Sequence, residues 1–299
     1  MPRESAFIPA YAKINLTLSA LGKRPDGYHD LASIMQTISL HDTLFMRADE
    51  RDGLADEFRC NVPALAGPDN LVARAIALLR VESGPAIPRI TAELHKRVPT
   101  QGGLGGGSSD AAAALATLNS LLDLGYSQKR LEDLAGHLGS DTPYLVAGGT
   151  ARISGRGEHI EPLPDCEPLW IVLVTPNTPV STAALFQSLT PADYGDATAT
   201  EALATAIRDG RPLPLDTLAN TLEPAVFRLY PAVAGARERL LALGAPLVRM
   251  SGSGPSLFVP YRTIIEADEL VRRARADGAR AWLCHTITRE QVLTSRSLR

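Results

Sequence analysis

Strict alternation of apolar and polar residues marks the first predicted element, between residues 10 and 20. One face carries only apolar side chains, those of Ala12, Ile14, Leu16 and Leu18. The opposite face carries Tyr11, Lys13, Asn15 and Thr17. A period of two predicts a half-buried strand, because successive side chains of a strand point to opposite faces. Lys13 is then either a solvated edge charge or, with Asn15 beside it, part of a site.

Strand and helix patterns follow one another along the rest of the chain without regular alternation. A helix is predicted to begin after Asn70, a residue type that caps helices well, and a strand is predicted over residues 90–94. Residues 51–60 are charged and predict a loop or a hairpin tip. Later patterns predict strands at 169–175, 257–259 and 279–287, and helices at 201–209, 216–229, 231–243 and 264–277. We therefore expect an α+β fold in two lobes, residues 1–160 and 161–299.

Five glycines lie within residues 102–107, in a stretch (99–110) that reads PTQGGLGGGSSD. Glycine loses the most freedom on ordering, so such a run indicates a backbone that bends sharply or approaches a ligand closely. The run leads into a predicted helix with Leu115, Leu118 and Leu122 at near-helical spacing. A glycine-rich turn that opens a helix presents free N–H groups at the positive end of the helix dipole. This context predicts a phosphate site, with a flexible linker as the alternative.

Neither of two familiar phosphate-binding patterns fits this stretch. The P-loop pattern requires a lysine where Ser108 stands, and the dinucleotide fingerprint requires its third glycine at the same position. The fingerprint also belongs to an opening βαβ unit, whereas this stretch begins a third of the way along the chain. The stretch is therefore predicted to be a phosphate loop of another kind, without a lysine of its own.

Three further turns carry residues that could take part in a site. An RPDG turn at 24–27 is followed by Tyr28 and His29, which could stack on and hydrogen-bond a flat ring or could simply pack the turn. Asp141 lies between a predicted helix end at Gly139 and a proline, so it either stabilises a turn or serves function. A second glycine-rich turn, RMSGSGPS at 249–256, is either a hairpin turn or a support for the first glycine loop.

Composition narrows the class of protein. The net charge of -3 and the lack of a basic block argue against a nucleic-acid partner. No apolar run approaches the ~18 residues that a membrane span needs, and no apolar core of a signal peptide stands at the N-terminus. The three cysteines, Cys60, Cys166 and Cys284, are far apart and predict reduced thiols without a metal site. We expect a cytoplasmic enzyme or binding protein.

Three separated stretches resemble the three motifs of the GHMP kinase superfamily, which includes galactokinase and the homoserine, mevalonate and phosphomevalonate kinases. Residues 9–16, PAYAKINL, are similar to motif one. Residues 99–110 look like the P-x-x-x-G-L-G-x-S-S phosphate loop, and residues 249–256 look like motif three. The DGYH segment at 26–29 and the extra glycines before the two serines resemble those members that phosphorylate a cytidine diphosphate-linked methylerythritol in the non-mevalonate isoprenoid pathway.

The resemblance implies a two-lobed α+β fold, with an N-terminal lobe of mixed sheet and helices, a C-terminal sandwich-like lobe, and the active site between them. It implies an ATP-dependent, Mg²⁺-assisted kinase with a small-molecule alcohol as acceptor, acting as a monomer or homodimer. One alternative is a kinase of the same superfamily that acts on homoserine or mevalonate. Another is a non-catalytic ligand sensor, against which the presence of both Lys13 and Asp141 argues.

The resemblance also assigns roles to individual residues. Lys13 and Asp141 match the catalytic pair, in which Asp141 accepts the proton of the acceptor hydroxyl. The residues expected near ATP are Pro99, Gly102, Gly103, Leu104, Gly105, Gly106, Gly107, Ser108, Ser109 and Asn70, with Ser108 also the candidate Mg²⁺ ligand. The residues expected near the acceptor are Asn15, Tyr28, His29, Thr182 and Phe186, of which Tyr28 and Phe186 would enclose the cytosine. Gln101 departs from the pattern, because relatives have glycine or another small residue there.

Overall fold

The computed structural model describes residues 5–49, 55–84 and 87–296. Two long antiparallel strands, β1 (Ser5–Lys23) and β2 (His29–Asp49), form the centre of the first sheet. The turn between them is closed by Gly27 N, which donates to Arg24 O at 3.1 Å. Gly27 has a φ of 87°, a conformation that glycine adopts without strain. The strand predicted at 10–20 is confirmed, within an element that extends further at both ends. The expectation that it is half-buried was wrong, because residues 12–20 are buried on both faces of the strand.

Four shorter strands complete the first sheet: β3 (Glu57–Cys60), β4 (Arg89–His95), β5 (Thr150–Gly155) and β6 (His159–Pro162). The second half of β2 pairs antiparallel with β4, and its first half pairs antiparallel with β5. Strand β3 lies parallel to β4, and β6 lies antiparallel to β5. The polar residues in the central part of β1, among them Lys13, Asn15 and Thr17, are buried.

Four helices accompany this sheet: α1 (Leu71–Ser83), α2 (Gly106–Leu121), α3 (Gln128–Gly136) and α4 (Thr142–Ala147). Asn70 caps α1 as predicted, since its side chain accepts a hydrogen bond from Val72 N at 2.9 Å. The α2 helix is largely buried, and its run of alanines lets it pack closely against α1 and β1. The glycine-rich stretch therefore opens a helix fixed in the core, which is the context predicted for a phosphate loop.

The second lobe is built on a four-stranded antiparallel sheet in the order β10-β7-β9-β8. Its strands are β7 (Trp170–Val174), β8 (Arg249–Met250), β9 (Leu257–Tyr261) and β10 (Ala281–His285). The remaining helices are α5 (Thr182–Ser188), α6 (Thr198–Arg208), α7 (Glu223–Leu229), α8 (Pro231–Ala242), α9 (Ile264–Ala276) and α10 (Arg289–Arg296). The expected α+β fold of two lobes is confirmed by these two sheets and their helices. The boundary expected near residue 160 stays a prediction.

Strand β1 contributes to all three apolar clusters that the described residues form. Its first apolar residues, such as Ile8, join the cluster under α1 and α2, and its last, such as Leu18, join the cluster of the second lobe. Between them, Ile14 and Leu16 pack in a cluster that also contains Leu173 of β7. The two lobes therefore share a continuous core, and the polar face of β1 lies next to their junction.

Two predicted segments were wrong. Residues 57–60 form strand β3, where we predicted a loop or hairpin tip over 51–60; residues 51–54 lie outside the described part of the chain. The helix predicted over 216–229 is confined to Glu223–Leu229, preceded by a short 3₁₀ turn. The intervening residues pair with β1 instead, because Leu18 N donates to Ala219 O and Thr221 N donates to Leu18 O, at 2.8 and 2.9 Å.

Candidate active site

A cavity of about 1730 Å³ lies where the two lobes meet. The polar face of β1, the glycine-rich stretch, the turn before α4 and the 251–254 turn all contribute to its wall. Lys13, Asn15, Asp141, Tyr28 and His29 line it together, although they are far apart in the sequence. The structure thus brings both members of the predicted catalytic pair and the predicted ring-binding pair into one space.

Lys13 and Asp141 form an ion pair in this cavity. Lys13 Nζ lies 3.3 Å from Asp141 Oδ2 and donates a 2.7 Å hydrogen bond to Asn15 Oδ1. The lysine is 4% exposed, whereas Asp141 remains accessible at the N-cap position of α4. Asn15 is held in turn by its amide, which donates to Ser33 Oγ at 2.8 Å. The arrangement leaves a carboxylate open to the cavity with an ordered ammonium beside it.

The glycine loop packs directly on this lysine. Gly103 and Gly105 have φ angles of 74° and 67°, in the left-handed region that favours glycine. A Cβ on Gly103 would lie 2.4 Å from Ser251 O, and one on Gly105 would lie 3.0 Å from Lys13 Cγ. Lys13 N also donates to Leu104 O at 3.0 Å. These positions require glycine because the backbone passes against β1 on one side and the 251–254 turn on the other.

The second glycine-rich turn joins the antiparallel strands β8 and β9 and also supports the first loop, so both interpretations left open by the sequence hold. Ser251 Oγ donates to Gly103 O at 3.1 Å, and Ser256 N donates to Gly102 O at 3.2 Å. Asn220 holds this turn from behind, with its amide donating to Met250 O and Gly252 O, each at 2.8 Å. Sequence reasoning missed Asn220, because it lies in the segment that was predicted to be helical.

The start of α2 has the features of an anion site. Ser109 N is the first to donate within the helix, to Gly105 O at 2.8 Å. The N–H groups of Gly106, Gly107 and Ser108 precede it and have no acceptor within the helix. At the positive end of a helix dipole, such groups favour a phosphate.

The residues predicted to contact ATP divide into two groups. Among the described residues, the cavity wall includes Gly103 and Gly105 but not Pro99, Gly102, Leu104, Gly106, Gly107, Ser108, Ser109 or Asn70. The side chains of three of these are engaged elsewhere: Leu104 is buried in the core, Ser109 Oγ donates to Tyr11 O, and the Asn70 amide is used in capping and in a bond to Leu65 O. Contacts of their backbones with a nucleotide stay predictions.

Gln101 occupies a backbone conformation that glycine adopts more readily than a residue with a side chain. Its φ of 55° lies in the left-handed region, where a side chain is strained. The residue is exposed and lines the cavity, so its amide is available to a ligand.

The other end of the cavity is aromatic. The His29 ring lies 5.2 Å from the Phe186 ring, with an angle of 40° between the planes, and Tyr194 Oη lies 3.4 Å from His29 Nε2. Tyr28 is 60% exposed, and the Arg156 guanidinium lies over its ring at 5.0 Å. A flat ring can be held here by stacking and by the imidazole. Arg156 and Tyr194 were not singled out from the sequence, since no motif marks them.

Of two further residues predicted from the sequence, Thr182 lines the cavity, whereas Ser108 lies outside the cavity wall at the start of α2. The Thr182 hydroxyl is 2.8 Å from Ser253 Oγ, so α5 touches the second glycine-rich turn. A Cβ on Gly139 would lie 3.4 Å from Ser108 Oγ, and the missing Cβ therefore leaves space between α2 and the turn that carries Asp141. Across the described ranges no three His, Cys, Asp or Glu residues are grouped to hold a metal. A hydroxyl beside a phosphate loop fits Mg²⁺ that enters bound to nucleotide phosphates.

Two family models and several curated relatives match this chain. Residues 70–149 match the family described as GHMP kinases N terminal domain, and residues 199–280 match GHMP kinases C terminal. The chain is 41% identical over 292 residues to the 4-diphosphocytidyl-2-C-methyl-D-erythritol kinase of Pelotomaculum thermopropionicum, covering 96% of each chain. It is 44% identical over 258 residues to the kinase of the same name from Moorella thermoacetica, covering 84% of this chain and 88% of the relative.

Two solved structures superpose on this chain over nearly its whole length. A crystal structure of 4-(cytidine 5'-diphospho)-2C-methyl-D-erythritol kinase superposes with a TM-score of 0.81 at 33% identity, covering 94% of this chain and 99% of that one. A homoserine kinase from Cytophaga hutchinsonii, 18% identical, superposes with a TM-score of 0.75 over 98% and 97% of the two chains, which is a likeness of fold alone.

The fold and the glycine-rich site thus define a small-molecule phosphotransferase of the GHMP kinase class. Within that class, the chain belongs to the 4-diphosphocytidyl-2-C-methyl-D-erythritol kinase family. No helix in the described part of the chain is long and apolar enough to cross a membrane.

Proposed function

We propose that this chain transfers the γ-phosphoryl group of ATP to the 2-hydroxyl of 4-diphosphocytidyl-2-C-methyl-D-erythritol, a step in non-mevalonate isoprenoid precursor synthesis in the cytoplasm. The observation that carries the proposal is the Lys13–Asp141 pair, which lies in one cavity with a glycine loop and a ring-binding pair. The near full-length identity to kinases named for this acceptor adds to it.

Asp141 is proposed to accept the proton of the 2-hydroxyl as the new O–P bond forms. A tertiary alcohol is a poor nucleophile, so a carboxylate within hydrogen-bond reach helps it to attack. Phosphoryl transfer passes through a loose transition state, and catalysis consists mainly of positioning and charge stabilisation. The ammonium of Lys13, ordered by Asn15 at 2.7 Å, supplies a fixed positive charge beside the carboxylate.

The glycine loop and the start of α2 are proposed to hold the phosphates of ATP. Their backbone N–H groups provide fixed partial positive charges and take the place of the lysine found in a P-loop. Mg²⁺ enters with the nucleotide and neutralises charge on its phosphates, with Ser108 as the side chain proposed to face it. The remaining residues predicted for ATP would act through their backbones or by shaping the loop.

The acceptor is proposed to bind with its cytosine between Tyr28 and Phe186 and against His29. This orientation points the methylerythritol end toward Asn15 and Asp141, with Thr182 on the α5 side of the cavity. Homoserine and mevalonate have no flat ring, so an aromatic end of the cavity favours the cytidine-bearing acceptor over those of the related kinases.

The test is a turnover assay with ATP, Mg²⁺ and each of three acceptors: the cytidylyl compound, homoserine and mevalonate. We expect ADP release with the first alone, and the proposal fails if that acceptor is not phosphorylated. Asp141→Asn keeps the shape of the side chain but removes the base, so we expect a loss of kcat of about 10²-fold or more. ATP binding, measured by calorimetry, should stay at the wild-type level. Normal turnover by Asp141→Asn would remove Asp141 from its role.

A further inference from the structure

Helix α4, which carries Asp141 at its N-cap, ends at carbonyl groups that the helix itself does not satisfy. Gly149 N would be the next donor to Leu145 O, but it donates to Thr37 Oγ1 at 2.9 Å. Leu145 and Val146 are both buried, so their carbonyls need partners within the protein.

Arg296, from the last turn of α10, supplies these partners. Its Nη1 donates to Leu145 O at 2.7 Å and to Val146 O at 2.8 Å, across about half the length of the chain. The residue is only 4% exposed, and no carboxylate within residues 5–49, 55–84 and 87–296 forms an ion pair with it. Burial lowers the pKa of Arg296 to about 10, so the guanidinium stays charged at neutral pH. Burying a cation is costly unless hydrogen bonds or opposite charges compensate it. Here the compensating partners are the carbonyls at the negative end of α4.

We propose that Arg296 is a positioning residue for phosphoryl transfer, because it fixes the end of α4 opposite to Asp141. The helix has six residues and is therefore only about 9 Å long, so a shift at its last turn is passed on to its first. Leu145 N, which donates to Asp141 O at 3.2 Å, links the capped turn directly to the residue that carries the carboxylate. The role of Asp141 in this inference rests on the proposed function.

The test compares full-length wild-type enzyme with Arg296→Met, Arg296→Lys and Val292→Ala. We expect Arg296→Met to lower kcat by on the order of 10- to 100-fold with both KM values unchanged, since a small displacement of a reacting group is enough for such a loss. Arg296→Lys keeps the positive charge but loses the planar set of guanidinium donors. Its kcat should therefore lie between that of wild type and that of Arg296→Met. Val292→Ala removes a buried side chain of the same helix and leaves the carbonyl cap intact. It should lower Tm and keep kcat.

Amide hydrogen exchange provides a readout that does not depend on the acceptor. We expect the amides of Leu145 and Gly148 to exchange faster in Arg296→Met than in Val292→Ala. If wild-type enzyme fails to phosphorylate the acceptor, the proposed function fails, and the exchange rates still decide whether Arg296 holds α4. If Arg296→Met does not fold, Arg296→Lys decides. The inference is overturned if Arg296→Met or Arg296→Lys keeps both the wild-type kcat and the wild-type exchange rates of these amides.

Discussion

The surroundings of His29 favour its neutral form. Its ring lies among Phe186 and Tyr194 and is 7% exposed. Burial, and to a smaller extent the charge of Lys23, lowers the pKa of His29 below its ordinary value of 6.5. A neutral imidazole can donate at one nitrogen and accept at the other, which suits the edge of a cytosine.

This charge state predicts how binding of the acceptor depends on pH. Because the pKa is lowered, His29 is neutral above pH 6.5 and gains its proton only at lower pH. We therefore expect KM for the acceptor to be flat above that value and to rise below it, as the accepting nitrogen is lost. His29→Asn should raise KM by about 10-fold at neutral pH and abolish the rise. KM for ATP is the internal control. A wild-type rise centred above pH 6.5 would contradict the prediction.

At the scale of elements, a buried ion cluster joins the two ends of the glycine loop. The cluster consists of Asp42 of β2, Lys96 at the end of β4, and Asp110 of α2; Lys96 Nζ contacts both carboxylates and lies 2.7 Å from Asp110 Oδ2. Asp42 Oδ1 accepts from Arg97 N and Val98 N, just before the loop begins. Burial raises the pKa of Asp110 well above 3.8, and its Oδ1 has no hydrogen-bond partner among the described residues.

The two ends of this cluster should respond to mutation in opposite ways. Lys96→Met leaves two buried carboxylates without a cation, and we expect it to cost about 3–5 kcal/mol of unfolding free energy. Asp110→Asn removes the carboxylate that burial disfavours. A raised pKa means that ionised Asp110 opposes folding at neutral pH, so this variant should be at least as stable as wild type at pH 7. Urea unfolding measures both effects.

The matched control is Lys129→Met, in the exposed Lys129–Asp133 pair, which should leave unfolding unchanged. A large loss of stability in Asp110→Asn would show that the cluster needs both carboxylates. KM for ATP in Asp110→Asn then reports whether the charge of the cluster affects the loop.

Local sequence was enough to predict some of these features but not others. The helix cap at Asn70 and the alternation of β1 were predicted because neighbouring residues determine them. The Asp42–Lys96–Asp110 cluster was missed, since its members meet only after β2, β4 and α2 have packed. Residues 218–222 have a helical sequence pattern. Their backbone nevertheless hydrogen-bonds to Leu18 of β1 and does not form a helix. At the site, family motifs predicted Lys13 and Asp141, whereas Asn220 and Arg296 have no local signal.

At the scale of the whole molecule, the shared core predicts that the two lobes unfold together. Leu16 of β1 is fully buried in the cluster that also holds Leu173 and Phe258 of the second sheet. Both tryptophans of the chain, Trp170 and Trp282, lie in that second sheet, so their fluorescence reports on the lobe that does not contain β1.

We expect Leu16→Ala to cost about 2–5 kcal/mol, because it leaves a cavity in a closely packed cluster. Far-UV circular dichroism and tryptophan fluorescence should shift to lower denaturant by the same amount, as in a single cooperative transition. Leu293→Ala, at a half-exposed site on α10, is the control and should shift neither probe appreciably. Separate midpoints for the two probes would mean that the lobes are independent units.

The passage of β1 through all three apolar clusters also limits how the enzyme can move. Large domain closure needs a flexible segment at which two rigid parts rotate, and here the junction is a paired strand in the middle of the core. We therefore expect opening and closing over the substrates to be confined to the cavity rim, where Tyr28, Gln101 and the short helix that carries Phe186 line the cavity. We therefore expect the free enzyme to keep its overall shape when it binds its substrates, so that the cost of binding lies mainly in ordering a few rim side chains.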